Sequence, residues 1–311
     1  MMKKILFGLF ILVASYIGYA LLKPIDSKEK IIKVDCTEAA IMRNFMKVEN
    51  WENWWPGKQI DDTTFNYRDI NYVIKNLLAN GVMLQVKSTS NVEYAYLQVT
   101  ALNDTSSNVI FNIASSKPTS FSEKIFQPFS TNEIGSNILL ILESVKRHFN
   151  DPVNIYGFKA AVTKVNDPHL ISIKKQYIQY PTTEDIYKEV KNLQAYALTN
   201  GVFQTNPPML NVHISDEGKG VDAMIAIPVN NALPAKDNFQ PKFMIQGLLL
   251  HAQIVGGAAK VQNAISQFQN YLQDYKLSAP AIPYQSLVTD RTLESDSNKW
   301  VTNIYQPIFR K

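Results

Sequence analysis

Few of the 311 residues stand at spacings that catalysis or metal binding requires. The histidines His148, His169, His213 and His251 are each isolated in sequence, and Cys36 is the single cysteine. Neither a zinc site nor a disulfide framework can be drawn from them. No Gly-x-Ser-x-Gly elbow, phosphate loop or dinucleotide fingerprint is present. The chain concentrates aromatic surface instead. Trp51, Trp54 and Trp55 fall within WENWWPG (51–57). Such a cluster serves either as a core plug fixing a short helix on a sheet or as the wall of an apolar cavity. The second concentration is PAIPYQSLVTDRTLESDSNKWVTNIYQPIF (280–309), where Tyr284, Trp300 and Tyr305 accompany the carboxamide of Asn303. Tyr187 and Tyr196, with Tyr271 and Tyr275 further on, either line a cleft or pack in a core. Gly256-Gly257 allows close approach of a ligand or makes a tight turn.

The elements that must hold these residues follow from periodicity. Residues 31–36 alternate as a first strand, with Cys36 a small buried residue at its end. Thr37 can cap the helix that follows, whose apolar face includes Ile41, Phe45 and Met46. From 63 to 114 the pattern is strand after strand, punctuated at Asn80-Gly81 and 103–108, which predicts an antiparallel curved sheet. Residues 131–149 read as a long helix capped by Thr131. Beyond Asp151-Pro152 a unit repeats. Strand 169–178, helix 182–200 and strands 206–214 and 224–229 are echoed by strand 244–255, helix 258–276 and the hairpin of 280–309. Glu184, Asp185 and Glu189 complement the dipole of the first repeat helix. Glu294, in the polar hairpin tip, is expected to be solvated.

Two resemblances bear on this order. Strand, short helices, meander and long helix, with WENWWPG, resemble the START/Bet v 1-like (SRPBCC) domains over about 31–150. That resemblance implies a helix-grip sheet, closed by its long helix over a hydrophobic cavity. IPYQSLVTDR…LE…KWVTNIYQPI resembles the end of GyrI-like effector-binding domains, on Tyr284, Asp290, Glu294, Trp300, Thr302, Ile304 and Pro307. It implies a pocket between two strand–helix–strand–strand units over 151–311. Members of that family carry a glutamate facing the ligand, used to attract lipophilic cations or as an acid–base group. Asn303 stands at that position here and can be neither.

Composition, at 46 % hydrophobic and 19 % charged, is that of a folded chain. The net charge of +4 falls to +1 when Lys3, Lys4 and Lys23 are set aside, leaving no basic patch for nucleic acid. Residues 5–22 are apolar and uncharged, near the length of about 20 that a membrane helix needs. The expected class is α+β: a membrane segment within 1–30, a START-like domain at 31–150 and a GyrI-like domain at 151–311. Lys3 and Lys4 would keep the start of the chain in the cytoplasm and the rest outside; the alternative is secretion after signal cleavage. The expected function is binding of a hydrophobic or neutral amphipathic small molecule by Trp51, Trp54, Trp55, Tyr187, Tyr284, Trp300, Asn303 and Tyr305. No cofactor, metal or catalytic residue is expected. Two alternatives stay open, a cyclase or hydrolase working in one of the cavities and a protein-interaction module.

Overall fold

The computed structural model describes residues 15–18, 28–88, 92–114, 133–165, 168–215, 218, 220–244 and 246–309. The apolar run 5–22 lies outside them except for 15–18, as does Thr131. Among the described residues, no helix is long and apolar enough to cross a membrane. The chain divides at Asp151/Pro152 into two compact units, each built on a mostly antiparallel sheet.

The first unit begins with β1 (Lys28–Val34), three residues ahead of the expected start. Helix α1 (Glu38–Phe45) follows, and Thr37 caps it by accepting from the Ala40 N–H. WENWWPG opens not in an α-helix but in a 3₁₀ turn, Val48–Asn53. Six further strands make up the sheet: β2 (Lys58–Gln59), β3 (Thr64–Tyr67), β4 (Ile70–Leu78), β5 (Gly81–Lys87), β6 (Val92–Asn103) and β7 (Ser106–Ala114). Their order is β1-β7-β6-β5-β4-β3-β2. Register shifts at Ile74/Asn76 and Ala101/Asn103 help curl it, since a bulge bends its strand and raises the local twist. The β3–β4 turn uses Arg68 and Asp69, both left-handed (φ 48° and 61°), so no glycine marks it in the sequence. Helix α2 (Glu133–Phe149) packs on β1 and β7, placing Ile138, Ile141 and Phe149 against the sheet.

The second unit starts with the short helix α3 (Pro152–Tyr156) and β8 (Ala161–Lys164). One repeat is β9 (His169–Tyr177), α4 (Thr183–Thr199), β10 (Met209–Ile214) and β11 (Val221–Pro228). The other is β13 (Leu248–Val255), α5 (Ala258–Asp274), β14 (Tyr284–Leu287) and β15 (Val301–Ile308). With β12 (Gln240–Phe243) the sheet runs β12-β9-β11-β10-β14-β15-β13-β8. Each half is therefore the other turned about an axis between β10 and β14. The halves are joined by two registered pairs, Met209↔Ser286 and Leu210↔Gln285. Alternation sends Ile171, Ile173, Leu210 and Ile225 under α4, and sends Leu170, Met209 and Ala226 to the other face. Thr182 and Asp185 form a capping box on α4. Glu189 does not serve the dipole: it is buried and pairs with Lys175 at 3.3 Å. A glycine is needed where β13 turns into α5, because Gly256 has φ +140°.

Candidate functional site

The weak seam between the two repeats opens into concavities on the face opposite α4. The more apolar one, of about 250 Å³, takes Leu170, Met209 and Ala226 from the first repeat and Leu249, Tyr284 and Pro307 from the second. Apolar side chains and backbone form most of its wall, and among the described residues no Asp, Glu, Lys or Arg lines it. Its size lies near the lower end of small-molecule sites, about 300–1,000 Å³. Two buried amides shape it. Asn211 Nδ2 donates to the Pro283 carbonyl at 2.8 Å, and Gln306 Nε2 to the Ala281 carbonyl at 2.7 Å. Both tie the Pro280–Pro283 segment onto the sheet beside the cavity.

A second, more polar pocket of about 290 Å³ shares Met209, Leu249 and Tyr284 with the first. Here the register brings chemistry together. Tyr284 pairs with Tyr305 and Tyr305 with His251, so their rings form a row across three strands, with centroids 5.1 and 4.8 Å apart. The next row is Ser286, Asn303 and Gln253. Asn303 is half-buried, and its amide lies 3.5 Å from both the Tyr305 hydroxyl and Gln253 Nε2. Lys164 is the charged residue of this lining among the described residues, and no carboxylate enters it. The site can accommodate apolar surface and offer hydrogen bonds, but it presents no anion to a cation.

Tyr284, Asn303 and Tyr305 are thus gathered; the other residues singled out from the sequence sit elsewhere. Trp51, Trp54 and Trp55 are packed in the core of the first unit, 0, 2 and 5 % exposed. Their rings meet Phe45 and Phe65, and Trp51 Nε1 donates to the Phe45 carbonyl at 2.9 Å. Tyr187 is buried on α4, its hydroxyl donating to the Thr289 carbonyl and accepting from the Arg291 N–H. Burial raises its pKa above the ordinary phenol value. Trp300, just ahead of β15, covers the guanidinium of Arg291 at 4.7 Å and donates Nε1 to the Glu294 carbonyl. Even-numbered residues of β15 point to the buried face and odd-numbered ones to the pocket, which separates this corner from Asn303. Glu294 is half-buried rather than solvated, its carboxylate accepting from the Asp296 N–H.

Several residues of the site carry no mark in the sequence. Met209, Ala226 and Leu170 read as ordinary core. Arg291, within the expected polar tip, is 7 % exposed and donates to Thr302 Oγ1 at 2.8 Å. Burial draws its guanidinium below the ordinary value. The uncharged run Pro280–Pro283 is the available signal for the apolar pocket.

Comparison with protein-family models and with curated proteins finds no match. Similar solved structures include the EcmrR C-terminal domain, 15 % identical at TM-score 0.42, covering 50 % of this chain and 99 % of that one. SAV2435 bound to tetraphenylphosphonium is 10 % identical at TM-score 0.32, covering 49 % and 94 %. The Aha1 dimer from Colwellia psychrerythraea is 11 % identical at TM-score 0.31, covering 40 % and 97 %. At these scores the likenesses carry no functional inference.

Proposed function

We propose that residues 151–311 form a GyrI-like binding module that takes a hydrophobic or neutral amphipathic small molecule into the cavity between its repeats. The observation that carries this reading is the cavity's wall, apolar and, among the described residues, without Asp, Glu, Lys or Arg, assembled from both halves of the sheet. An apolar body gains about 25 cal/mol for each Å² removed from water there, whereas a bare charge would lose hydration without a partner. The neighbouring Asn303, Tyr284 and Tyr305 then offer neutral hydrogen bonds to a polar end. Capture rather than turnover is proposed. Residues 31–150 are proposed as a START-like companion whose tryptophans serve packing. Residues 5–22 are proposed as an uncleaved anchor, with the two units outside the cytoplasm. No nucleic-acid partner is proposed.

The test uses residues 28–311, which keep every labelled strand and helix of both units. N-phenyl-1-naphthylamine, a neutral apolar dye, should brighten on binding. Ala226→Phe, which fills the cavity from β11, should weaken that binding at least tenfold while circular dichroism stays unchanged. Equal binding by both proteins would sink the assignment of this cavity. For the anchor, peptide mapping of the membrane fraction should recover residues 1–20, and a soluble form starting near Leu21 would refute it.

A further inference from the structure

The bond from Asn211 to the Pro283 carbonyl is the last link of a chain that runs along one face of the sheet. Asn211 is 8 % exposed and lines the apolar cavity. With its Nδ2 donating to Pro283, its Oδ1 lies 3.2 Å from Nδ1 of His213, two residues further along β10 and on the same face. His213 in turn pairs in register with Asp222 of β11, and its Nε2 stands 3.8 Å from the Asp222 carboxylate. Among the described residues, Gln176 of β9 continues this row without charge. Lys174 stands in the adjoining row opposite Met224, and Tyr284 begins the strand on the other side of β10.

The donors and acceptors of this chain depend on charge. A carboxamide oxygen only accepts, so the contact between Asn211 and His213 requires a proton on Nδ1. A carboxylate also only accepts, and Asp222 favours a proton on Nε2. The imidazolium carries both protons and satisfies both neighbours. The neutral ring carries one. Kept on Nδ1, it leaves a lone pair facing Asp222. Kept on Nε2, it leaves a lone pair facing Asn211 Oδ1. That repulsion is relieved when the amide turns over, and Nδ2 then leaves the Pro283 carbonyl. Loss of the His213 charge therefore weakens the hold on Pro283 and on the next residue, Tyr284, which lines both pockets. Gln306 keeps its bond to the Ala281 carbonyl in either state, so the segment loosens without leaving the sheet.

We infer that His213, flanked by Asp222, is a positioning residue for the cavity: in its charged form it orients Asn211 to pin the Pro280–Pro283 wall, and ligand affinity falls when that charge is lost. The inference rests on the binding function proposed for that cavity. Its test uses the full chain with Cys36→Ala and a nitroxide on Ala281→Cys, an exposed position in the wall. The label should be more mobile at about pH 8.5 than at about 5.5, a span that covers imidazole titration. His213→Gln, which cannot ionise, should remove the difference. Asp222→Asn should move its midpoint to lower pH, because the carboxylate favours the imidazolium. Affinity for N-phenyl-1-naphthylamine, which stays neutral throughout, should fall roughly two- to tenfold over the same span, the contribution of one hydrogen bond. The His213→Gln profile should be flat. A wild-type label insensitive to pH, or one that His213→Gln leaves equally sensitive, overturns the inference. Constant dye affinity while the label responds overturns its link to binding. The two readings fail separately. If the label responds and Ala226→Phe leaves dye binding intact, the cavity assignment is wrong and the pinning stands. If Ala226→Phe weakens dye binding and pH moves neither label nor affinity, the pinning alone is wrong.

Discussion

Asn303→Glu probes the polar pocket most directly. The residue is half-buried on β15, in register with Ser286 and Gln253 and one row from the stacked rings of Tyr284 and Tyr305. A carboxylate about 5 Å from a bound lipophilic cation, at an effective dielectric near 20, attracts it by about 3 kcal/mol. Solvent screening at a half-exposed site and loss of carboxylate hydration offset roughly half of that. The remaining gain is about 1–2 kcal/mol, or roughly 5- to 30-fold in affinity. Lys164 lines the same pocket and works against the cation, so adding Lys164→Met should increase the gain, by less than about 1 kcal/mol because that lysine is exposed. Rhodamine 6G anisotropy with residues 28–311, at low and high salt, measures this. The wild type should bind poorly, Asn303→Gln should match it, and the Asn303→Glu gain should shrink as salt rises. Micromolar binding by the wild type would mean that another anion faces the ligand. An equal gain from Asn303→Gln would show that shape rather than charge was changed; either result refutes the reasoning.

Three further outcomes follow from the packing. Trp51→Ala removes a fully buried ring in contact with Phe45, Trp54 and Phe65, and should cost about 3–5 kcal/mol in chemical denaturation, with dye binding to the second unit retained. Gly256→Ala forces a side chain onto φ +140° and should cost about 1–3 kcal/mol, seen as a lower thermal midpoint. His148 packs against Phe149 and is held below its ordinary value of 6.5, mainly by burial and against a hydrogen bond that its ring donates to the Asn53 backbone. The unfolded chain takes up that proton near 6.5 while the folded chain resists it, so stability should fall as pH drops through 6.5. Thermal melts of wild type and His148→Asn across that range should show a smaller loss in the variant, and parallel curves would refute the assignment.

Much of the fold was legible because local signals and burial agree. The Thr37 cap, the strands of 63–114 and the repeated unit beyond Asp151 all announce themselves by alternation, by periodicity or by a capping residue, each a property of neighbours in sequence. Where the local signal was weaker, the strand ends shifted by a residue or two: Arg68-Asp69 makes a left-handed turn without a glycine, and WENWWPG opens in a 3₁₀ turn. Tyr284, Asn303 and Tyr305 could be selected from the sequence because they stand on one hairpin, where alternation alone places odd-numbered residues of β15 on a common face.

The apolar cavity lay beyond that kind of reading. Leu170, Met209, Ala226, Leu249 and Pro307 are each unremarkable apolar residues of a strand. They become a site because β10 and β14 share only two registered pairs and the sheet opens there. The same holds for Arg291, which a polar, turn-rich tip gave every reason to place in water. A guanidinium stays charged whether exposed or buried, so its type cannot say which. Only the approach of Trp300 and Thr302, with Tyr187 from 104 residues away, supplies the ring over the guanidinium, the hydroxyl that accepts from it and a second hydroxyl that accepts from the Arg291 backbone N–H. Sequence determined which faces had to be covered; the closure of one repeat on the other decided what was left uncovered, and there the pocket lies.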